Sequence, residues 1–347
     1  MSNLKAFFFM KGLKMDLAYT KILGTGKYHP EKVMTNEDLS KMVDTNDEWI
    51  VQRTGIKERR IGDIEKDECP SGMATRAAKM AIANAGLDVN DIDLILFSVT
   101  LPDQMFPNSA SMLQHKLGIT NKCACLDINA ACSGWVYGLT MANSLIQTGV
   151  YKKILLCGTE MATAFNNWND RNTCILFGDG SGAVVLGASD EKEGPQIIDT
   201  ILGSDSSKWD SLILAKGGAV APITQKIIDN NEQWMSMDGQ TVFKNAVKTM
   251  SQHCATLLKR NNMTIDDIDW FIPHQANLRI IETTGQLLKC PAEKVIINVE
   301  KYANTSSASI PAALNEAITD GRIKRGQTLM FAAFGSGLTS AASIIKY

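Results

Sequence analysis

The chain repeats itself, and that repetition limits its possible folds more than any single motif does. Val89-Asn90-Asp91-Ile92-Asp93-Leu94-Ile95-Leu96 matches Ile265-Asp266-Asp267-Ile268-Asp269-Trp270-Phe271-Ile272. Each follows a helix-period segment, residues 71–85 in one case and 239–259 in the other. Further along, Gly149-Val150-Tyr151-Lys152-Lys153-Ile154-Leu155-Leu156 parallels the stretch from Gly321 to Met330. Gly180-Ser181-Gly182-Ala183-Val184-Val185-Leu186 parallels the stretch from Gly335 to Ile344. The pairs keep the same order, as a duplicated unit requires. Apolar runs alternate with helix-period segments, so each half reads as βαβαβαββ, with mixed, mostly parallel sheets covered by helices. The polar stretch Ser189-Asp190-Glu191-Lys192-Glu193-Gly194-Pro195 marks the boundary, dividing residues 19–190 from 191–347.

A chain of 347 residues is long enough for two such halves around a large core. Its 21% charged residues, net charge of −2 and lack of a long basic run argue against a disordered chain or a nucleic-acid partner. Several of the eight cysteines lie in apolar runs, as Cys157 does in Ile154-Leu155-Leu156-Cys157-Gly158, where a thiol behaves as a small hydrophobe. There is no CxxC pair, and Cys123-x-Cys125 lacks a second ligand pair, so no metal site is expected. Reduced thiols without an export signal predict a cytoplasmic protein. No apolar segment is long enough to predict a membrane span. Residues 1–18 carry Phe7-Phe8-Phe9-Met10, a faint signal-like run interrupted by Lys11 and Lys14. We read them as an N-terminal extension outside the fold, with Met10 or Met15 as alternative starts.

One cysteine is placed for chemistry. In Asp127-Ile128-Asn129-Ala130-Ala131-Cys132-Ser133-Gly134-Trp135 an apolar run ends, small residues follow and a helical pattern begins. A helix N-terminus and a nearby imidazole would lower the thiol pKa and supply a nucleophile; a buried structural cysteine is the alternative. Among four histidines, His274 follows the apolar run Trp270-Phe271-Ile272-Pro273, where a polar group is either used or satisfied by the fold. Asn304, in Tyr302-Ala303-Asn304-Thr305-Ser306-Ser307, suits a helix N-cap or a close-approach substrate site. Gly335-Ser336-Gly337 reads as a tight turn whose backbone N–H groups are free for an oxyanion, or simply as a permissive backbone. Cys132 and Asn304 hold corresponding places in the two halves, so the duplication predicts that a Cys from one half faces a His and an Asn from the other.

These motifs, together with Asp47-Glu48-Trp49-Ile50-Val51, Arg53-Thr54-Gly55-Ile56, His274-Gln275-Ala276-Asn277 and Phe177-Gly178-Asp179-Gly180, resemble those of the β-ketoacyl-[acyl-carrier-protein] synthase III family. The resemblance runs from Tyr19 to Tyr347. It implies a thiolase-like fold with α/β/α/β/α layers, and an acyltransferase that opens fatty-acid synthesis by decarboxylative condensation of an acyl-coenzyme A with malonyl-acyl-carrier protein. By this resemblance Cys132, His274 and Asn304 are catalytic, and the Cys132 and Ser336 N–H groups form an oxyanion hole. Trp49 and Arg171 would sandwich the adenine of coenzyme A, with Arg53 near phosphate and Asn277 on the pantetheine. Phe106 and Phe177 would border acyl pockets, Phe106 that of the neighbouring subunit in a homodimer. Lys244 and Arg279 would draw in the acidic carrier protein. No metal or resident cofactor is implied.

Four positions depart from the family pattern: Ser336, Ala303 and Asn172 replace glycines, and Thr339-Ser340-Ala341 replaces Thr-Trp-Gly. They bring the acyl-chain preference into question. Two other readings compete: a same-fold acyltransferase or condensing enzyme of specialised metabolism, and a non-catalytic carrier-binding relative. A degradative thiolase is disfavoured, because 331–339 holds no second cysteine.

Overall fold

Strands buried on both faces organise the chain. The computed structural model describes residues 18–189 and 194–347, so residues 1–17 of the extension and residues 190–193 of the boundary lie outside the described residues. In the first half, β1 (Tyr19–Tyr28), β2 (Leu94–Ser98), β3 (Ala124–Ile128), β4 (Lys153–Met161) and β5 (Asp179–Ser189) form a sheet ordered β1-β5-β4-β2-β3. In the second, β6 (Gln196–Ser204), β7 (Trp270–Pro273), β8 (Thr328–Gly335) and β9 (Thr339–Lys346) are ordered β6-β9-β8-β7. The pairing senses match as well. β2 and β4 are parallel, as are β7 and β8. The β4–β5 and β5–β1 pairs are antiparallel, as are β8–β9 and β9–β6. The counterpart of β3 is a single parallel bridge from Val295 to Phe271.

The repeated sequence has a physical reason. Asp88 and Thr264 each close a capping box on a one-turn helix, Val89–Asp91 and Ile265–Asp267. Asp93 then accepts the N–H groups of Lys152 and Lys153, and Asp269 accepts that of Thr328. In both halves one carboxylate therefore ties the start of a parallel strand to its neighbour.

Seven helices matter for the site: α1 (Asp47–Thr54), α2 (Pro70–Asn84), α3 (Ser109–Leu117), α4 (Gly134–Gln147), α5 (Gly239–Arg260), α6 (Leu278–Leu287) and α7 (Ser309–Thr319). Alternation along the strands sorts their side chains into layers. Leu94, Leu96, Ile154, Leu156, Val184 and Leu186 join Leu139, Leu314, Leu329 and Phe331 in a core shared by both sheets with α4 and α7 between them. Ile95, Phe97, Leu155 and Val185 face the other way, onto α2 and α3. Met330, Ala332 and Phe334 face α5 and α6. The layers therefore run helix, sheet, helix, sheet, helix, as expected. Trp135 of α4 meets Phe331 of β8 edge to face at 5.6 Å, joining the halves.

Glycine sets how closely the halves approach. A Cβ on Gly158 of β4 would lie 2.4 Å from the carbonyl oxygen of Ser307, and one on Gly182 would lie 2.5 Å from Ala312 N. The chain just before α7, and α7 itself, thus lie directly on the first sheet. Gly158→Ala is expected to lower the unfolding free energy by about 1–3 kcal/mol. Gly218→Ala, with nothing within 4 Å of the added carbon, is expected to leave it unchanged; urea unfolding of both variants checks the pair.

Candidate active site

Cys132 lies in the one-turn segment Ala131–Ser133, between β3 and the first residue of α4. Ala131 holds φ 48°, a left-handed turn that redirects the chain from strand to helix and presents the sulfur at the helix N-terminus. Asp127, in the same motif, serves the scaffold. Its carboxylate accepts the N–H groups of Ser109 and Ala110 at 2.8 Å and caps α3. The thiol departs from expectation. Burial raises its pKa to about 11, against smaller lowering effects from the Ser306 hydroxyl and a backbone N–H, and the charge of Glu160 adds to the rise. Desolvation outweighs the helix terminus here, so the resting group is a thiol.

The second half brings the other two groups to the same place. His274 closes β7, and its N–H donates to the Ala332 carbonyl at 2.8 Å. Its Nδ1 lies 2.6 Å from Ser309 Oγ, which also accepts the Gln275 N–H at 3.3 Å. Where the Ser309 hydroxyl gives its hydrogen to Nδ1, the imidazole proton sits on Nε2. Burial pushes the His274 pKa down to about 3, so the ring is neutral. Asn304 Oδ1 accepts the Ser306 N–H at 2.8 Å, which turns Nδ2 outward as a donor. Cys132, His274 and Asn304 all line one cavity of about 1180 Å³. The Cys from one half and the His and Asn from the other thus open on the same cavity.

Cys132 also borders a second cavity of about 70 Å³, lined among others by Phe177, Leu212, Met235, Glu160, Ser306 and Ser336. Ser336 fits without strain of its own: the positive φ falls on Gly337 (69°) and Leu338 (46°), and the Ser336 hydroxyl finds room by donating to the Leu212 carbonyl. Gly335 is constrained, since a Cβ there would lie 2.7 Å from Cys132 N and crowd that N–H.

The outer part of the large cavity carries Trp49, Arg53, Asn277, Lys244 and Arg279. Arg171 does not line it. Its guanidinium lies 5.0 Å from the Trp49 ring centroid and donates to the Asp44 carbonyl at 2.8 Å, while Arg53 lies 4.2 Å from the same ring. Between Trp49 and Arg171, where the resemblance would put an adenine, the two side chains are instead in contact with each other. Asn277 is partly committed as well. Its Oδ1 caps α6 at Arg279 N and its Nδ2 donates to the Arg53 carbonyl at 3.0 Å, which leaves one amide hydrogen to spare. Phe106 is 83% exposed and apart from both cavities. Sequence reasoning assigned no role to Ser306, Ser309, Glu160 or the 212–237 segment. The serine-rich run after Asn304 was the available signal for the first two.

Two family models match this chain: 3-oxoacyl-[acyl-carrier-protein] synthase III over residues 126–206, and the C-terminal part of that enzyme over 258–347. A β-ketoacyl-[acyl-carrier-protein] synthase III of Caldanaerobacter subterraneus is 46% identical over 326 residues, covering 94% of this chain and 97% of the relative. One from Rickettsia rickettsii is 46% identical over 329 residues, covering 94% and 99%. The crystal structure of 3-oxoacyl-[acyl-carrier-protein] synthase III from Aquifex aeolicus superposes with a TM-score of 0.87 at 42% identity, covering 94% of this chain and all of that one. With that degree of identity sustained from end to end of the described fold, the chain belongs to the β-ketoacyl-[acyl-carrier-protein] synthase III family.

Proposed function

We propose that this chain is an acyltransferase that condenses a short acyl-coenzyme A with malonyl-acyl-carrier protein, with loss of carbon dioxide, to begin a fatty acid. The observation that carries the reading is the common cavity: a thiol at a helix N-terminus opens on the same space as a neutral imidazole and a carboxamide from the other half. Cys132 attacks the thioester, its new S–C bond forming as that of coenzyme A breaks. The oxyanion of that step takes the N–H groups of Cys132 and Ser336. Malonyl-carrier protein then enters, and its carboxylate leaves as carbon dioxide. Negative charge grows on the malonyl thioester oxygen, and two neutral donors, His274 Nε2–H and Asn304 Nδ2–H, receive it. A neutral ring suits this role, because it donates throughout without first shedding a charge. The enolate carbon attacks the acyl group and expels Cys132. Coenzyme A enters as a substrate, and these steps call for no metal or resident cofactor.

The cavity dimensions favour a short primer. About 70 Å³ beside Cys132 accommodates on the order of five heavy atoms, which suits acetyl and slightly longer acyl groups. At the mouth, Arg53, Lys244 and Arg279 join in none of the ion pairs found among the described residues. Arg53 serves the phosphates of coenzyme A, and Lys244 and Arg279 serve an acidic carrier protein. Trp49 stacks on the adenine.

A homodimer fits the surface. β3 is the edge of its sheet, with Leu126 44% exposed on it, and Met105 and Phe106 stand 77% and 83% exposed nearby in sequence. An open strand edge with apolar side chains is a pairing surface, and a second copy covers it. No helix among the described residues is long and apolar enough to cross a membrane.

Incubation with acetyl-coenzyme A is expected to add one acetyl group to Cys132 by mass spectrometry, and none to Cys132→Ala; an unmodified wild-type protein with every acyl donor tried sinks the reading. His274→Ala and Asn304→Ala are each expected to keep acylation and lose about 10²–10³-fold in condensation. Because His274 stays neutral down to about pH 3, decarboxylation of malonyl-carrier protein should show no inflection from this ring between about pH 5 and 8. A profile whose acid limb vanishes in His274→Gln contradicts that. Leu126→Lys is expected to shift the sedimentation of the protein from dimer to monomer with its circular dichroism unchanged.

A further inference from the structure

The condensing mechanism leaves unused a buried carboxyl that stands on a cavity wall. Glu160, near the end of β4, is 1% exposed, yet it lies on the wall of the small cavity together with Cys132 and Ser306. Its carboxylate oxygens accept the N–H groups of Leu101 at 2.9 Å and Thr100 at 3.2 Å. Ser306 lines the same cavity. Ser306 Oγ in turn lies 3.4 Å from Cys132 Sγ. No cation pairs with Glu160 among the described residues. A carboxyl in a dry, otherwise apolar pocket is costly for a fold to keep. Sulfur, hydroxyl and carboxyl share one small cavity.

We propose that Glu160 is the terminal proton acceptor for Cys132 during acyl transfer, reached through the hydroxyl of Ser306. Sγ–H passes its proton to Ser306 Oγ while the Ser306 O–H passes its own to the Glu160 carboxylate. Sγ bonds to the acyl carbon, the bond from that carbon to the coenzyme A sulfur breaks, and the electron pair leaves on that sulfur, which solvent protonates. When condensation later expels Cys132, the same path returns the proton to it. Both groups end the cycle as they began. The assignment rests on the acyl-transfer reading above.

Magnitudes favour this acceptor over the imidazole. Burial raises the Glu160 pKa to about 7, while His274 is held down to about 3. Near neutral pH the carboxylate is the stronger base by several powers of ten. Cys132 is the ionisable group that faces Glu160 from the turn before α4. The other neighbours, Thr100 and Leu101 after β2, Ser306 before α7 and Gly180 across on β5, carry no ionisable side chain. A carboxylate that merely sat nearby would act by its charge alone, which raises the thiol pKa. The two roles therefore predict opposite signs on removing it.

The test is the rate at which iodoacetamide alkylates Cys132 across about pH 5 to 9, followed by peptide mass mapping in wild type, Glu160→Gln and Ser306→Ala. Wild type is expected to show an inflection near pH 7, and both variants to lose it and to react about 10²-fold more slowly at neutral pH. A Glu160→Gln protein that reacts as fast as wild type or faster overturns the proposal. Ser306→Ala leaves the backbone bonds to Glu160 in place and so guards against a misfolded Gln variant; thermal unfolding of each checks this. Acetylation by acetyl-coenzyme A is measured alongside. Glu160-dependent alkylation without acetylation sinks the acyl-transfer reading and keeps the relay, whereas acetylation with a Glu160-independent profile sinks the relay alone.

Discussion

The close approach of the 304–309 segment to the end of β4 is the contact on which the rest depends. Gly158 lets the Ser307 carbonyl lie where a side chain would otherwise stand, and the Ser307 hydroxyl donates to the Ser98 carbonyl at 3.0 Å. Those contacts bring the start of α7 beside the start of α4, so that Ser306 reaches Cys132. Thr339 ties the third corner: its Oγ1 donates to the Ala130 carbonyl at 2.9 Å and receives the Ser133 hydroxyl at 2.8 Å. The backbone bears a strain for this. Ala131, Ala303, Ser306 and Leu338 hold φ of 48°, 57°, 51° and 46°, at about 1–3 kcal/mol each. Asp67, Lys122, Asn231, Asn262 and Lys289 also hold positive φ elsewhere, but Ala131, Ala303, Ser306 and Leu338 lie in the segments that converge on the sulfur.

Burial then decides the electrostatics. The same exclusion of water that holds His274 neutral holds Cys132 protonated, and these two consequences pull in different directions. A neutral imidazole carrying its proton on Nε2 can donate to a developing oxyanion. A neutral thiol is a poor nucleophile until something removes its proton. Burial thus leaves the ring as a neutral donor and the sulfur as a thiol that needs a base before it can attack.

Much of this was legible in the sequence because duplication leaves local marks. Asp93 and Asp269, the paired capping boxes and the paired Gly-rich strand starts are one-residue decisions with local hydrogen-bonding reasons, and they survive in the order of residues along the chain. Mixed sheets covered by helices followed from them, while the layer order came with the family resemblance. Cys132, His274 and Asn304 could be singled out because each stands where an apolar run gives way to polar or small residues, while their roles came with the family resemblance. What the sequence did not carry is depth. Whether Cys132 is stabilised as a thiolate depends on how much water surrounds it, which is a property of two halves packed together. Ser309 stayed unread because its partner is 35 residues away, and Glu160 because nothing in Gly158-Thr159-Glu160-Met161 tells which face of the strand looks into a cavity. The contact of Arg171 with Trp49 likewise depends on Asp44, 127 residues distant.

The departures from the family pattern take on different weights once they are placed. Ser340 lies where the pattern has an aromatic residue, yet it borders neither cavity: its hydroxyl sits 2.9 Å from His253 Nε2 and donates to the Gly203 carbonyl, which Tyr137 also reaches at 2.7 Å. A polar cluster has replaced a large side chain, with every group partnered, so the change is absorbed behind the site. Ala303 adopts φ 57° and ψ −159°, a conformation in which glycine is at ease; its methyl is taken into a small core with Ile56, Ile281 and Val299, which offsets part of the strain. Asn172 lies on the outer cavity. Ser336 alone of the four touches the space beside the sulfur, and it does so by holding the Leu212 carbonyl, and with it the 212–214 wall, against Cys132. Of the departures from the family pattern, the one at Ser336 therefore bears most directly on the shape of the space beside Cys132, because that serine pins its wall.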